Sequence, residues 1–398
     1  MSRLILNTGA APSTPAASKT SLYADSADKK VKQIDENGII NVLTPRVAKE
    51  NFILNGGFDV IQRQDRVTLT TYSNTSGRAL SADRWGITNE NASVQYTSVN
   101  NDTPETGLNS RFYGRFKKIT STGKMVITQV IEGIHCLPLR GRKVRFSCKM
   151  RFSVAASMTV RLGLLQLTSA GTLDAPPATF VSAFGAASTD PTFGTNVSLI
   201  TPLIADGGSI VGSAVNCVLT SAWVRYSATF TVPTDCKNII PVIFTNGQPV
   251  ANDELNIAEA AVYDGEEIMD WNPRLYAQEV ALCQRYYCKT FPVLTAPAQT
   301  GGAGGSIRMP VTIAGAVATS IVGRWDFPVE MRATPGTVTF YNPSAGNAFS
   351  RNITAGTDAT ATSAANTSAR GLHWNCTGLA AWTVGQDVAV HASADAEM

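Results

Sequence analysis

Hydrophobic and polar side chains alternate one by one through long stretches of this chain. From Val144 to Phe152, residues Val144, Phe146, Cys148, Met150 and Phe152 fall on one side, and Arg145, Ser147, Lys149 and Arg151 on the other. The run from Trp223 to Val232 repeats the pattern with Val224, Tyr226, Ala228, Phe230 and Val232. A period of two is that of a half-buried strand, because successive side chains leave a strand on opposite faces. The segments 124–132, 158–167, 239–247 and 254–265 also read as strands, and so do pieces of 306–315, 322–331, 336–343 and 382–393. Half-buried alternating strands at this density predict antiparallel sandwiches. Residues 168–216, with "DAPPATF" and "STDPTFG", are rich in turn formers and are expected to be loops at one end of the sandwich.

The first fifty residues differ. Residues 1 to 20 are a Pro/Ala/Ser/Thr segment without periodicity, which alone would be disordered. Val31 and Ile34 then mark a short strand, "DENG" a turn with Gly38 at positive φ, and Ile39 to Leu43 another strand. Such a meander is too small to bury a core in water, so copies from neighbouring chains are expected to complete it.

One stretch has the helical period. In "YAQEVALCQRYYCKT" (Tyr276 to Thr290), Tyr276, Val280, Cys283 and Tyr287 recur at spacings of four, three and four, and Pro273 suits a first turn. The stripe can pack on the protein's own sandwich. It can equally meet its copies as a short coiled-coil seam. The "APAQTGGAGGS" stretch that follows reads as a flexible loop, not a phosphate loop, since it lacks the Gly-Lys-Ser/Thr ending. The fold class is therefore mainly β: a short N-terminal meander (1–50), an antiparallel jelly-roll sandwich (51–273), one linking helix (274–291) and a small C-terminal β-sandwich (292–398).

The 398 residues call for two or three domains, and 44% hydrophobic with 16% charged residues supplies real cores. A net charge of +3 without a long Lys/Arg block gives no footprint for nucleic acid; "GRFKKIT" (Gly114 to Thr120) is the most basic patch and fits a solvated strand face. No run has the length of a membrane span, and the N-terminus does not read as a signal peptide. The seven cysteines are scattered and without CxxC spacing, so they read as buried apolar residues.

Candidate chemistry is sparse. No GxSxG, HExxH or GxGxxG motif occurs, and none of His135, His373 and His391 sits in a motif with a nucleophile, so no catalytic residue is expected. No cofactor is expected. Asp59, Glu259 and Asp264 lie near the first and last strands of the sandwich, where hard oxygen ligands would suit calcium; exposed strand-end carboxylates are the alternative. Tyr96, Tyr113, Trp374 and Trp382 have polar or turn-rich neighbours and are the aromatic candidates for stacking on a sugar, against the alternative of core packing.

"NFILNGGFDVIQRQ" followed by "ADRW" resembles the start of the carbohydrate-binding-module-like jelly roll of bacteriophage fibre proteins. "LNIAEAAVYDGEEIMDWNPRLYAQEVALCQRYYCKTF" resembles its end, and "FPVEMRATPGTVTFYNP" the strand pair that follows there. "LYADSADKKVKQIDENG" is similar to the short β repeats that attach phage fibres to the virion. The resemblance implies a homotrimeric, non-enzymatic fibre, most simply a tail fibre, assembled in the bacterial cytoplasm. It would be joined to another virion protein through residues 1–45 and carry a host-adhesion role toward a cell-surface glycan or other receptor. It also implies that three copies of the helix meet through Tyr276, Val280, Cys283 and Tyr287. A head or collar fibre of purely architectural role, and a tailspike-like glycan depolymerase, are the alternatives.

Overall fold

The computed structural model describes residues 8–17, 19–26, 31–38, 40–42, 49–66, 70–73, 76–91, 93–102, 105–119, 122–153, 158–247, 249–311, 321–377 and 382–398. The chain forms two compact units, Met1–Lys49 and Glu50–Met398.

The first unit is a four-stranded sheet. Ser21–Asp25, Val31–Ile34 and Ile40–Val42 form an antiparallel meander, and Thr8–Gly9 adds in parallel beside Ala24 and Asp25. The predicted turn is present: the Gly38 amide donates to the Asp35 carbonyl at 3.0 Å, and Gly38 takes φ 77°. Part of the predicted strand Ile39 to Leu43 lies outside the described residues. Among the described residues of this unit the buried apolar side chains are Tyr23, Ala24 and Ile34, while Leu22 and Ile40 are exposed. Three buried apolar side chains by themselves do not offset the entropy of ordering such a segment.

The second unit begins with the sandwich. One sheet runs in the order Ser209–Val211, Ala214–Leu219, Met158–Leu167, Asn238–Thr245, Met125–Thr128, Gly86–Asn89, Ala79–Leu80, with Val197–Ile200 also on Met158–Leu167. The other runs Pro202–Asp206, Val224–Thr231, Lys143–Phe152, Glu254–Asp264, Phe112–Lys118, Val94–Asn100, Thr70–Tyr72. The alternating positions read from the sequence are its core: Val144, Phe146, Cys148, Met150 and Phe152 meet Tyr226, Ala228, Phe230 and Val232. Each fully buried large side chain contributes about 1.5–3 kcal/mol. All seven cysteines are buried free thiols.

Residues 168–216 are not loops at one end. They supply Val197–Ile200 and Ser209–Val211 to one sheet and Pro202–Asp206 to the edge of the other, while Val181–Ala183 and Thr192–Phe193 pair with each other as a separate two-stranded sheet. Turn formers dominate the composition there, but the short apolar runs between them find strand partners only in the tertiary fold.

A β-bulge interrupts the centre of the second sheet. Ser147 pairs with Ala261 and Lys149 with Ala258, leaving Glu259 in the extra position at φ 52°. The sequence "NGGF" docks there. The Ala260 amide donates to the Gly56 carbonyl at 3.0 Å, and a Cβ on Gly56 would lie 2.1 Å from the Ala260 oxygen and 3.2 Å from the Trp271 ring. Only glycine permits that approach.

The helix is shorter than its sequence suggested. It spans Tyr276–Gln284 and is followed by the strand Tyr287–Lys289, which joins the C-terminal sheet on Asp387–Asp395. Pro273 precedes the first turn rather than occupying it. Asp387–Asp395 is the spine of that sheet, pairing with Tyr287–Lys289, Ile307–Pro310, Thr337–Tyr341 and Arg351–Asn352. A second, three-stranded sheet contains Ile321–Asp326, Gly371–Thr377 and Ala361–Ser368. Between them lie Trp325, Phe340, Trp374 and Trp382.

Polar contacts join these parts. Arg84 stacks on Tyr286 at 3.5 Å and Arg63 on Tyr287 at 4.0 Å. The same two arginines pair with Glu397 and Asp395. Gln62 donates to the Tyr287 carbonyl at 2.8 Å, and both oxygens of buried Asp83 accept from Gln62, at 2.7 and 3.0 Å. The stretches "VIQRQ", "ADRW" and "CQRYYC" are thus the two halves of one joint. Among the described residues no helix is long and apolar enough to cross a membrane.

Candidate functional site

A cleft of about 850 Å³ opens where the second sheet of the sandwich meets the helix and the loop after Tyr287–Lys289. Thr97 to Asn100 come from one strand, and Phe112 and Arg115 from its neighbour. Asp59 and Arg66 come from the segment after the paired glycines, Tyr276 from the first helical position, and Leu294 from the C-terminal side. Tyr276 and Leu294 are half exposed, so an aromatic face and an aliphatic one stand open beside charged groups. A smaller pocket of about 190 Å³ continues the cleft past Asp59, Arg111 and Tyr276 to Asn109, Trp271 and Glu279.

Each charged group is held in a defined way. The Arg66 guanidinium lies 3.5 Å above the Phe112 ring and donates through Nη2 to the Asp59 carbonyl. Its Nε and Nη1 are buried without a hydrogen-bond partner, and burial lowers its pKa. Arg111 is largely exposed, 5.1 Å from the same ring and 3.6 Å from Asp102. Burial raises the Asp59 carboxyl, helped by nearby Glu279 and opposed by Arg66 and Arg111. Glu279 is fully engaged: it accepts from the Asn55 amide and pairs with Arg274 at 3.1 Å. An acidic group in the first turn also suits the helix dipole.

The loop that carries Asn109 and Arg111 is anchored from behind. Glu259 Oε1 accepts from the Asn109 and Ser110 amides, at 2.5 and 3.1 Å, and its Oε2 is 2.9 Å from Lys149 Nζ. Both side chains are almost wholly buried. Farther along this face, Glu105 takes hydrogen bonds from Arg151 (3.0 Å) and the Trp223 indole (2.8 Å).

The sequence candidates for sugar stacking are elsewhere. Tyr96 is wholly buried between Phe58 and Phe116, with ring centroids 6.4 and 5.2 Å away. Tyr113 is buried edge-on to Trp223 at 5.2 Å, its hydroxyl accepting from Arg151 at 3.1 Å. Trp374 fills the C-terminal core, and Trp382 is buried with its indole donating to Thr357 at 2.9 Å. None offers a face to a ligand, because each ring fills a core or is walled in by neighbours. For Tyr96 and Trp374 the flanking polar residues point to the opposite face of the strand.

The proposed seam also divides. Tyr276 is half exposed at the cleft and Val280 partly buried, whereas Cys283 and Tyr287 are buried within the protomer and present no surface to a second copy. Tyr287 leaves the helical stripe because the helix has ended and the residue is in a strand. Asp59, Glu259 and Asp264 do not form a calcium site: Glu259 is taken by Lys149, Asp264 by Arg142, and Asp59 faces the cleft. Among the described residues no group of three or more His, Cys, Asp or Glu is placed to hold a metal ion.

Sequence reasoning missed Arg66, Arg111, Phe112, Asn100 and Leu294 as partners. Arg115 lay in the basic patch noted above, and its alternation with Gly114 and Phe116 was the available signal. The cleft joins positions far apart in the chain, which no local pattern encodes.

No family model matches the chain, and no curated protein matches it. Among solved structures, the carbohydrate-binding module TmCBM61 in complex with beta-1,4-galactotriose is 9% identical, with 54% of this chain and 99% of that chain covered and a TM-score of 0.30. The C-terminal family 22 carbohydrate-binding module of Clostridium thermocellum Xyn10B is 12% identical, with 50% and 96% covered and a TM-score of 0.29. The enzymatically active domain of Bacteriophage CBA120 tailspike protein 4 is 12% identical, with 54% of this chain but only 21% of that chain covered and a TM-score of 0.28. Likenesses at these scores carry no functional inference.

Proposed function

We propose that this chain is a non-enzymatic subunit of a bacteriophage virion fibre, most simply a tail fibre, whose sandwich binds a host-surface glycan. The observation that carries the glycan reading is the open cleft, where the exposed Tyr276 ring stands beside Arg66, Arg111, Asn100 and Asp59. A sugar presents a C–H face to stack on an aromatic ring and hydroxyls for convergent polar groups; a concave site with both is built for such a ligand. The carboxylates support binding without hydrolysis. Glycoside hydrolysis by the common route uses two of them; Asp59 is the carboxylate lining the cleft, and Glu279 in the adjoining pocket is committed to Arg274 and the Asn55 amide.

The fibre reading is supported by the order of the resembling motifs along the chain. It is supported also by the N-terminal unit, where the few buried side chains among the described residues suit completion by neighbouring copies or by a virion partner through residues 1–45. The expected assembly is a homotrimer made in the bacterial cytoplasm. Two measurements test the reading. Binding of purified host-envelope polysaccharide should fall at least tenfold in Tyr276→Ala, equivalent to ~1.4 kcal/mol. Undiminished binding would remove the cleft from the function. Light scattering of the full-length protein should give a trimer mass; a monomer, both alone and on virions imaged with a labelled N-terminus, would rule out the trimeric fibre.

A further inference from the structure

The cleft is not electrically neutral. Arg66, Arg111 and Arg115 line it, against Asp59 as the one carboxylate among its lining residues. Among the described residues neither Arg66 nor Arg115 forms an ion pair, and Arg111 meets Asp102 only at 3.6 Å in an exposed pair. Buried guanidinium N–H groups without acceptors are costly, of the order of 1–3 kcal/mol each. Here Arg66 Nε and Nη1 and Arg115 Nε are all in that state. Arg66 cannot swing freely, since Phe112 supports its flat face and the Asp59 carbonyl holds one end. Arg66 therefore offers the cleft a fixed positive charge, and the exposed Arg111 beside it offers donors open to an anion. The half-exposed Tyr276 ring and Leu294 line the same cleft and suit an apolar face.

We infer that the cleft selects an anionic sugar unit, a pyranose bearing a carboxylate or a phosphate, with the anion on the Arg66, Arg111 and Arg115 guanidinium groups and the ring on Tyr276. This rests on the glycan-binding reading and adds the charge of the ligand to it. The aromatic ring alone would accept neutral sugars equally well; the unpaired arginines are what discriminate. A neutral ligand would leave the guanidinium charges without a counter-ion, whereas an anion supplies one.

The test uses the full-length protein and three probes of one ring size: glucuronic acid, glucose 6-phosphate and glucose. Saturation-transfer NMR reads millimolar complexes directly. At low salt, at least one acid should bind about tenfold more tightly than glucose, and the preference should shrink as salt is raised. Preference for glucuronic acid identifies a carboxylated sugar, and preference for the phosphate a phosphorylated one. In Arg66→Gln/Arg115→Gln the acid-to-glucose ratio should collapse toward one. Arg111→Gln, on an exposed side chain that leaves the core untouched, should lower it about threefold even if the double variant fails to fold. Equal binding of all three probes, lost in Tyr276→Ala, would overturn the anionic preference and leave the glycan site standing. Binding of none of them would overturn both. A preference that survives Arg111→Gln and the double variant would also refute the assignment.

Discussion

Replacing Glu259 by glutamine removes one negative charge and almost no volume. The amide oxygen can still accept from Asn109 and Ser110, so the loop keeps its hydrogen bonds. What is lost is the charge facing Lys149 at 2.9 Å, in a pair whose side chains are 2% and 11% exposed. Lys149 is then a buried ammonium without a counter-charge. Breaking a buried pair from one side costs about 3–5 kcal/mol, because the remaining ion stays desolvated. Replacing both partners by uncharged groups is close to neutral by the same reasoning. Denaturant unfolding of wild type, Glu259→Gln, and Glu259→Gln/Lys149→Met, followed by tryptophan fluorescence, separates the two effects. The single variant should lose at least ~3 kcal/mol and the double variant should recover most of it. A functional consequence follows, because the same carboxylate anchors the loop bearing Asn109 and Arg111: sugar binding should weaken in the single variant and return in the double. If the single variant loses less than about 1 kcal/mol, or the double is no better than the single, the pair is not the desolvated anchor described here.

Two other outcomes follow from the fold. Burial raises the Asp83 carboxyl from its ordinary 3.8 to about 6, with Arg63 and the hydrogen bonds from Gln62 opposing. The folded state therefore holds this proton more tightly than the unfolded one, so Asp83 favours folding below pH ~4 and loses that contribution as pH rises through ~6, on the order of 3 kcal/mol for two units. The stability of Asp83→Asn minus that of wild type should rise over that window, and a flat difference from pH 4 to 7 would refute the assignment. Gly56→Ala should destabilise the sandwich by at least ~2 kcal/mol, since its Cβ would meet the Ala260 carbonyl at 2.1 Å, while Gly336→Ala, with nothing within 4 Å, should be nearly neutral. Equal thermal midpoints for the two variants would contradict the packing described.

Most of the sandwich was legible because its strands are long and half buried. Val144 to Phe152 and Trp223 to Val232 carry a period of two that only one core can use, and a slip of one residue would turn every apolar group outward. The hairpin of Ala361–Ser368 and Gly371–Thr377 was not legible, since Thr, Ser and Ala carry little contrast between faces. The helix was legible in its first two turns only. Its end after Gln284 is decided by tertiary partners: Arg84 and Arg63 stack on Tyr286 and Tyr287, and the Asp387–Asp395 strand draws Tyr287 into a ladder.

The candidate site was legible in fragments. Asp59 and Tyr276 were noticed for other reasons, the one as a metal ligand, the other as a seam residue. Composition and spacing could mark each as polar or aromatic, but not say which way it faced. Tyr96 shows the converse: its polar neighbours are on the other side of its strand, so a local view exposed a ring that the fold buries completely.

By itself the sequence determined the class of the fold, because alternation is a local property and an apolar face must be buried wherever it occurs. It determined one close approach as well, since only glycine at position 56 can lie against the Ala260 carbonyl. The tertiary structure alone decided the cleft. Asp59, Arg66, Arg111, Arg115, Tyr276 and Leu294 span more than half of the chain, and their common surface exists only because two strand ends, a helix start and a distant loop converge. Proximity of that kind is set by packing and topology, which no single segment contains.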